Sequence, residues 1–495
     1  MQRRQFLRSS AVATLALPSL GMARSLRHVP TPVPGAIDAV TVSGRQVTIS
    51  QAEVQSFSNS LKSHLVLPGM DGYDDARLLL NPSFDKRPAL ICQPTGAADV
   101  QHAVNFAREH QLLTAVKCGG HSASGKSTCD GGLQIDLSRF HGVRVDPQAR
   151  TARVDGGSLL GELDHESMAH GLVTTAGTVS HTGVGGLTLG GGFGRLGRRF
   201  GMTIDNVLEM DVVTPDGQLR RAAPDENVDL YWALRGGGGN FGVVTSFLFY
   251  LHPMQREVIA GRLMFPFEQA RQLWSFYGEY APTLPDEMTL DAAMLKPPGA
   301  APGMMVYSVV WSGPPKELES LLAPIRKAGN VMADTLKPVD YVALQRSGDA
   351  NDVRANALYQ KSGFVSTAGT KLASDLVDNF DPKPHRGTWL ATQQCGGAIS
   401  RIGAEATAFS RRDSLFNVLT FMSWPAQAEA AEHVRDIKAY WAHIEPHTRG
   451  FYSNDLYDED QRGIASSYGE NYARLKAIKD RYDPNNLFRL NPNIV

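Results

Sequence analysis

Lys117-Cys118-Gly119-Gly120-His121-Ser122 and Gly183-Val184-Gly185-Gly186-Leu187-Thr188-Leu189-Gly190-Gly191-Gly192-Phe193-Gly194 are the two stretches on which the reading of this chain turns. Before the first, Ala89-Leu90-Ile91-Cys92 reads as a strand. Thr95 to His110 reads as an amphipathic helix, with Val100, Ala103, Val104 and Ala107 at i, i+3, i+4 and i+7. Thr114-Ala115-Val116-Lys117 reads as a second strand, so Gly119-Gly120-His121 closes a β-α-β unit. Paired glycines there permit positive φ and let backbone N–H groups converge on an anion such as a pyrophosphate. In the second stretch seven of twelve residues are glycine, which bares the backbone for contact with a flat or charged ligand or, alternatively, makes a flexible loop. Neither run opens the helix of a leading β-α-β unit with an acidic residue after the next strand, so a nicotinamide-dinucleotide fingerprint fits poorly.

Working outward, Leu133–Leu137, Val143–Val145 and Thr151–Val154 read as strands, the last two joined as a hairpin at Asp146-Pro147. A helix over Leu159–Met168 stops at Gly171. Met210–Thr214 and Gln218–Arg221 flank a Pro215-Asp216-Gly217 turn, and Gly236–Gly239 leads into a strand over Val243–Leu251. From about residue 256 to 445 glycine thins out, and alternating strands with amphipathic helices predict a separate α+β unit, a sheet covered by helices on one face. The chain of 495 residues is long enough for two cores. A formal net charge of −1 without a basic block predicts no nucleic-acid partner. No segment after the N-terminus has the apolar length of a membrane span.

Arg3-Arg4-Gln5-Phe6-Leu7, an apolar stretch from Ser9 to Leu20 and the small residues Gly21-Met22-Ala23 predict a twin-arginine signal peptide over residues 1–23. That route carries folded, cofactor-loaded proteins to the periplasm or beyond. Cys92, Cys118, Cys129 and Cys395 match no zinc spacing, and no metal is expected. Cys118 and Cys129 either pair or stay as free thiols.

These motifs resemble the berberine-bridge-enzyme-like FAD-linked oxidases of the vanillyl-alcohol-oxidase / p-cresol methylhydroxylase superfamily. The resemblance rests on Lys117 to Ser122, Gly177 to Gly194 with Gly201, Asp205-Asn206, Leu234 to Gly242 and Tyr482 to Phe488, in family order. It implies an α+β fold with a two-part FAD-binding domain (residues 50–255, with 446–495 returning to it) and a substrate domain (256–445). It also implies an FAD-dependent oxidoreductase, in which a small hydroxyl-bearing molecule (a sugar, oligosaccharide or secondary metabolite) yields hydride to FAD, and oxygen or another acceptor regenerates the cofactor. A dehydrogenase or a non-catalytic flavin-binding protein is the alternative.

By the same resemblance His121 carries the flavin on its 8α-methyl carbon. Lys117, Cys118, Gly119, Gly120, Ser122, Gly125, Gly183, Gly185, Gly186, Gly190, Gly191, Gly194, Gly242, Val244 and Asn493 fall at or beside cofactor-binding positions. Asn206 beside Asp205 either holds FAD or caps a turn. Many relatives add a second link from a cysteine four residues before the glycine run. Val179 stands there, so one covalent bond, through His121, is expected. The family's Tyr-x-Asn-Tyr element appears as Tyr452-Ser453-Asn454-Asp455, which makes Tyr452 the first candidate for the base and Tyr457 the second. A phenol needs a pKa well below its ordinary value of about 10 for that task.

Overall fold

The computed structural model describes residues 29–299, 303–349, 354, 356–380, 383, 385–455 and 461–495. The expected leader over residues 1–23 and Tyr457 lie outside them.

The first sheet has four strands in the order His64–Val66, Leu90–Gln93, Leu133–Asp136, Thr114–Lys117. The helix Ala97–Glu109 crosses over between the second and last of these and buries Val100, Ala103, Val104 and Ala107, the stripe its 3.6-residue period calls for. Leu90–Gln93 and Thr114–Lys117 do not pair. Leu133–Asp136 lies between them, parallel to both. Leu90–Gln93 and Leu133–Asp136 are buried along their whole length, which suits a continuous hydrophobic run such as Ala89-Leu90-Ile91-Cys92.

A second sheet is antiparallel throughout, in the order Leu219–Ala222, Val207–Val213, Val243–Tyr250, Thr151–Asp155, Val143–Asp146. Its hairpins are the ones marked by Pro215-Asp216-Gly217, with Gly217 at φ 79°, and by Asp146-Pro147. The helix Leu160–Met168 packs over it and ends before Gly171, which adopts φ 65°.

The third sheet runs Ala333–Asp334, Glu257–Pro266, Met304–Trp311, Met288–Lys296, Gly387–Gln394, Phe416–Pro425, Asn356–Val365, with Lys337–Asp340 also on Glu257–Pro266. Every pairing is antiparallel. One face is covered by the helices Ala270–Tyr280, Pro315–Lys327, Thr370–Asp378 and Ala430–Ile444. Their Leu273, Trp274, Tyr277, Leu322, Leu376, Tyr440 and Ile444 form one core with Leu290, Met294, Tyr307, Leu390 and Val418 of the strands. Strand alternation then sends Trp389, Ala391 and Gln393 to the opposite face.

The C-terminal segment returns to the first two sheets through the helix Tyr472–Tyr482. Lys479 and Asp483, one helical turn apart and both buried, pair at 2.6 Å. The Asp483 carboxylate also accepts from the backbone N–H of Leu487 (2.8 Å) and Phe488 (2.9 Å), while Lys479 Nζ donates to Asn240 O at 2.8 Å. The Asn240 amide in turn donates to Pro492 O at 3.0 Å. A buried charge left alone costs far more than the pair gains. Asp483→Ala should therefore cost about 3–5 kcal/mol of stability, read as a lowered midpoint in denaturant titration, whereas Asp480→Ala, whose partner Lys476 is a half-exposed surface cation, should cost under about 1 kcal/mol.

Candidate active site

The two glycine-rich stretches meet backbone to backbone. A Cβ built on Gly119 would lie 2.4 Å from Gly183 N, and one on Gly183 would lie 2.4 Å from both Cys118 Sγ and Gly119 N. Residues 180–184 are fixed in turn by Leu160 N to Thr182 O (2.9 Å), Gly161 N to Ser180 O (2.7 Å) and Val184 N to Ser158 O (2.8 Å). The second stretch is then not a loose loop: Val184–Gly190 is helical.

A cavity of about 430 Å³ opens beside this junction, a size suited to an organic ligand. Cys118, Gly119, Gly120, His121, Ser122, Gly183, Gly185, Gly186, Gly242 and Val244 all line it, as do Lys126, Thr182, Leu187 and Leu189. The backbone N–H groups of Gly120, His121 and Ser122 find no acceptor among the described residues, and Ser127 Oγ on the same wall is buried without a partner. Unpaired donors turned to one side of a cavity are a nest for an anion. Gly186 leaves open space where a side chain would stand, so a flat group can approach its backbone.

His121 sits half-buried at the junction. Its Nε2 lies 2.7 Å from His181 Nδ1, and its Nδ1 is 3.4 Å from Thr182 Oγ1. Burial, reinforced by the neighbouring His181, pushes its pKa down to about 4, so the ring is neutral and keeps a lone pair at ordinary pH. Cys118 Sγ donates to Gly156 O at 3.2 Å, and burial pushes that thiol up to about 11, which leaves it unreactive. Cys118 and Cys129 are both free thiols.

Several residues expected at the cofactor stand elsewhere. Lys117 does not line the cavity: its buried ammonium donates to Ala76 O at 2.5 Å and faces Asp136 at 3.8 Å, tying the first sheet to its neighbour. Gly125 at φ 66° makes room for the Phe84 ring, and Gly194 for Ala176 O. Gly190 and Gly191 admit Asn454 and the side chains of Met202 and Tyr452. These four glycines are required by packing. Asn206 caps a turn: its amide donates to Phe200 O and Met202 O, both at 3.0 Å, and its oxygen meets His252 Nε2 at 2.6 Å. Asp205 beside it is spent on a buried bidentate pair with Arg412. Asn493 is off the wall, which is built by Leu490, Asn491 and Pro492 just before it.

Tyr452 lines the cavity but is poorly made for a base. Its oxygen accepts from Gly192 N and from Asn454 Nδ2, each at 2.8 Å, and burial drives its pKa far above that of an ordinary phenol. It fastens the glycine run, and Phe193 packs edge-on against it at 5.1 Å. Asp455, the residue at which the Tyr-x-Asn-Tyr pattern fails, is a second titratable group beside it. Asp455 faces the same cavity. Burial raises its carboxyl to about 6 against hydrogen bonds from Asn417 and Ser362, so it is ionised at neutral pH. Asn417 Nδ2 bridges Asp455 Oδ2 (3.0 Å) and Gln393 Oε1 (2.9 Å). With that oxygen engaged, the Gln393 Nε2 donor has no partner among the described residues and is left for a ligand in the cavity that Gln393 and Gln360 also line. Gln360 and Gln393 carry no motif. Only the two-residue alternation of their strands marks them, and it does not say which face meets the cavity. Among the described residues no cluster of metal-ligating side chains converges, and no helix is long and apolar enough to cross a membrane.

Comparison with known proteins agrees with this geometry. Residues 88–223 match the FAD binding domain family, and 458–495 match the berberine and berberine-like family. The chain is similar to an FAD-linked oxidoreductase of Dictyostelium discoideum, 30% identical over 450 residues, 89% of this chain and 96% of that protein. It resembles the crystal structure of 6-hydroxy-D-nicotine oxidase from Arthrobacter nicotinovorans (TM-score 0.81, 26% identity, 88% of this chain and 98% of that one). It also resembles glucooligosaccharide oxidase from Acremonium strictum, whose FAD is described as 6-S-cysteinyl, 8α-N1-histidyl (TM-score 0.80, 25% identity, 89% and 98%). The α+β arrangement is the fold of these oxidases. The unpaired N–H nest, the orphan Ser127 hydroxyl and the open backbone at Gly186 fit what FAD brings, a pyrophosphate, a polyol and a flat ring system.

Two glycine substitutions separate the roles. Gly183→Ala forces a methyl into Cys118 and the Gly119 backbone and should cost about 1–3 kcal/mol or more. Gly186→Ala meets nothing within 4 Å and should leave the unfolding midpoint unchanged or raised while lowering the FAD content of the purified protein.

Proposed function

From the premise that this chain belongs to the berberine-bridge-enzyme-like FAD-linked oxidoreductases and is an FAD-dependent oxidoreductase, we propose that it oxidises a hydroxyl-bearing, saccharide-like small molecule, with FAD tethered through His121 and dioxygen as the final acceptor. The observation that carries the reading is one continuous cavity with the N–H nest and His121 along one part and Asp455, Gln393 and Gln360 along another. Gly119 to Ser122, Gly183 to Gly186, Gly242 and Val244 would hold FAD. When bound, FAD supplies the acceptor for the hydride leaving the substrate carbon and passes the electron pair to dioxygen, so that alcohol and oxygen become carbonyl compound and hydrogen peroxide.

The protein's own groups do the rest. The Asp455 carboxylate takes the hydroxyl proton as the carbon loses hydride, and the Gln393 amide donates to the oxygen on which charge develops. Asn417 keeps both in place by contacting each. Leu187 and Leu189 exclude water from the glycine side. The saccharide class is supported by the polar end of the cavity, where amides and a carboxylate stand together, and by Trp389 stacked on Phe421 (centroids 5.5 Å, 8° between planes). Trp389 lies on the same sheet face as Gln393, four residues along the strand, roughly 13 Å at 3.3 Å per residue. Phe421 is paired directly with Gln360. A flat aromatic surface at that remove from the reacting end suits the distal ring of an oligosaccharide. Val179 supports a single tether, because it offers no second nucleophile.

The test is anaerobic bleaching of the bound flavin by a panel of mono- and oligosaccharides with 6-hydroxynicotine as the amine comparison, followed by peroxide assay in air. Bleaching by a saccharide with peroxide release is the expected result. Bleaching by the amine alone would overturn the substrate class. Asp455→Asn should slow bleaching about 10²–10⁴-fold. In the intact protein kcat/KM should fall as pH drops through about 6, because the carboxylate is the competent form. A profile flat to pH 5 would remove Asp455 from the reaction.

The same reading takes residues 1–23 as a twin-arginine leader, supported by Arg3-Arg4-Gln5-Phe6-Leu7. Replacing Arg3 and Arg4 together by Lys should retain the protein in the cytoplasm, measured by fractionation of a bacterial host. Unimpaired export would refute it.

A further inference from the structure

The Gly119–Gly183 contact has a second effect. His121 follows Gly119 by two residues and His181 precedes Gly183 by two, so the approach of the two backbones brings the rings together, centroids 4.7 Å apart. His121 Nε2 points at His181 Nδ1 from 2.7 Å. On Nδ1, Thr182 Oγ1 stands at a long 3.4 Å. Nε2 is thus occupied, and Nδ1 is the nitrogen left to react. His121 belongs to the cavity wall, whereas His181 borders a separate surface depression together with Glu162, His165, Glu166 and Asp349. The pair therefore spans from the cofactor cavity to an outside surface that carries carboxylates.

We propose that His181 is a positioning residue for cofactor attachment: it holds His121 as the Nε2–H tautomer and accepts that proton as His121 Nδ1 bonds to the 8α carbon. This rests on the tether proposed above. In the net change a methyl C–H and the His121 Nε2–H are lost, an N–C bond forms, and dioxygen takes both electrons and two protons to become hydrogen peroxide. One of those protons leaves through His181. The need for an acceptor follows from charge. A neutral imidazole that forms a bond through its lone pair becomes a cation unless its other proton departs, and a buried site penalises that cation. Among the described residues no carboxylate contacts His121, so the neighbouring imidazole is the group within reach. From there the proton passes to the depression shared with Glu162 and Glu166.

The experiment compares wild type, His121→Ala, His181→Ala and His181→Gln, each purified and incubated aerobically with added FAD. Flavin is then measured in the native protein and, after acid precipitation, in pellet and supernatant over time. Glutamine can accept the hydrogen bond but not the proton, and it preserves side-chain bulk if the alanine variant does not fold. The expected result is that His181→Gln still binds FAD but transfers it to the pellet at least tenfold more slowly than wild type, and that free imidazole restores the rate in His181→Ala. Attachment at the wild-type rate in His181→Gln overturns the proposal. Flavin that stays in the pellet with His121→Ala refutes the tether itself, a separate outcome from loss only in the His181 variants.

Discussion

Everything at the site depends on two peptide backbones packed closer than any side chain would allow. Gly119 and Gly183 each exclude a Cβ because the other's main chain stands where it would be. The contact joins a strand end of the first sheet to the start of the helix Val184–Gly190. It leaves the N–H groups of residues 120–122 facing a cavity instead of a partner. A folded chain normally pairs buried donors, so such a nest persists only if the surrounding structure enforces it and a ligand satisfies it. The helical bonds and the 158–161 pairing provide the enforcement. The phosphate and polyol groups of FAD are acceptors of the kind such donors fit.

That junction would be open on one side without the returning C-terminus. The buried Lys479–Asp483 pair is expensive to desolvate, and it is compensated by four further contacts: two backbone N–H groups on the carboxylate, and two carbonyls, Asn240 O and Phe488 O, on the ammonium. Through Asn240 and Pro492 the pair ties the tail to the Gly236–Gly242 run. Leu490, Asn491 and Pro492 thereby become a wall of the cavity. The last residues of the chain thus do for the cofactor site what a neighbouring strand does for a sheet edge.

On the substrate side the organising element is a sheet with unlike faces. Helices bury one, and strand alternation carries Gln360, Gln393, Trp389 and Phe421 to the other. Asn417, paired across from Gln393, bridges that residue and Asp455, so three polar side chains from distant segments act as a unit. Such a network is worth having only when each member is satisfied. Here the Gln393 Nε2 donor is what remains for a substrate, beside the Asp455 carboxylate that Asn417 and Ser362 hold.

Much of this was legible in order along the chain. Glycine runs, the amphipathic helix over residues 97–109, the Pro-Asp-Gly turn and the alternating strands follow from local rules, since backbone freedom and hydrophobic period belong to short windows of sequence. His121 was legible because its neighbours are glycines that place it. What only the tertiary structure decided is which glycines meet a ligand and which meet other parts of the protein: Gly186 faces open space, whereas Gly125, Gly190, Gly191 and Gly194 face Phe84, Asn454, Met202 and Ala176. The same holds for the proposed acid-base group. Tyr452 and Asp455 sit three residues apart in one motif, but the hydrogen bonds from Gly192 to one and from Asn417 to the other come from segments remote in sequence. A side chain's chemical type is written in the chain; its protonation and its exposure to a cavity are set by neighbours that only folding brings within a few ångströms.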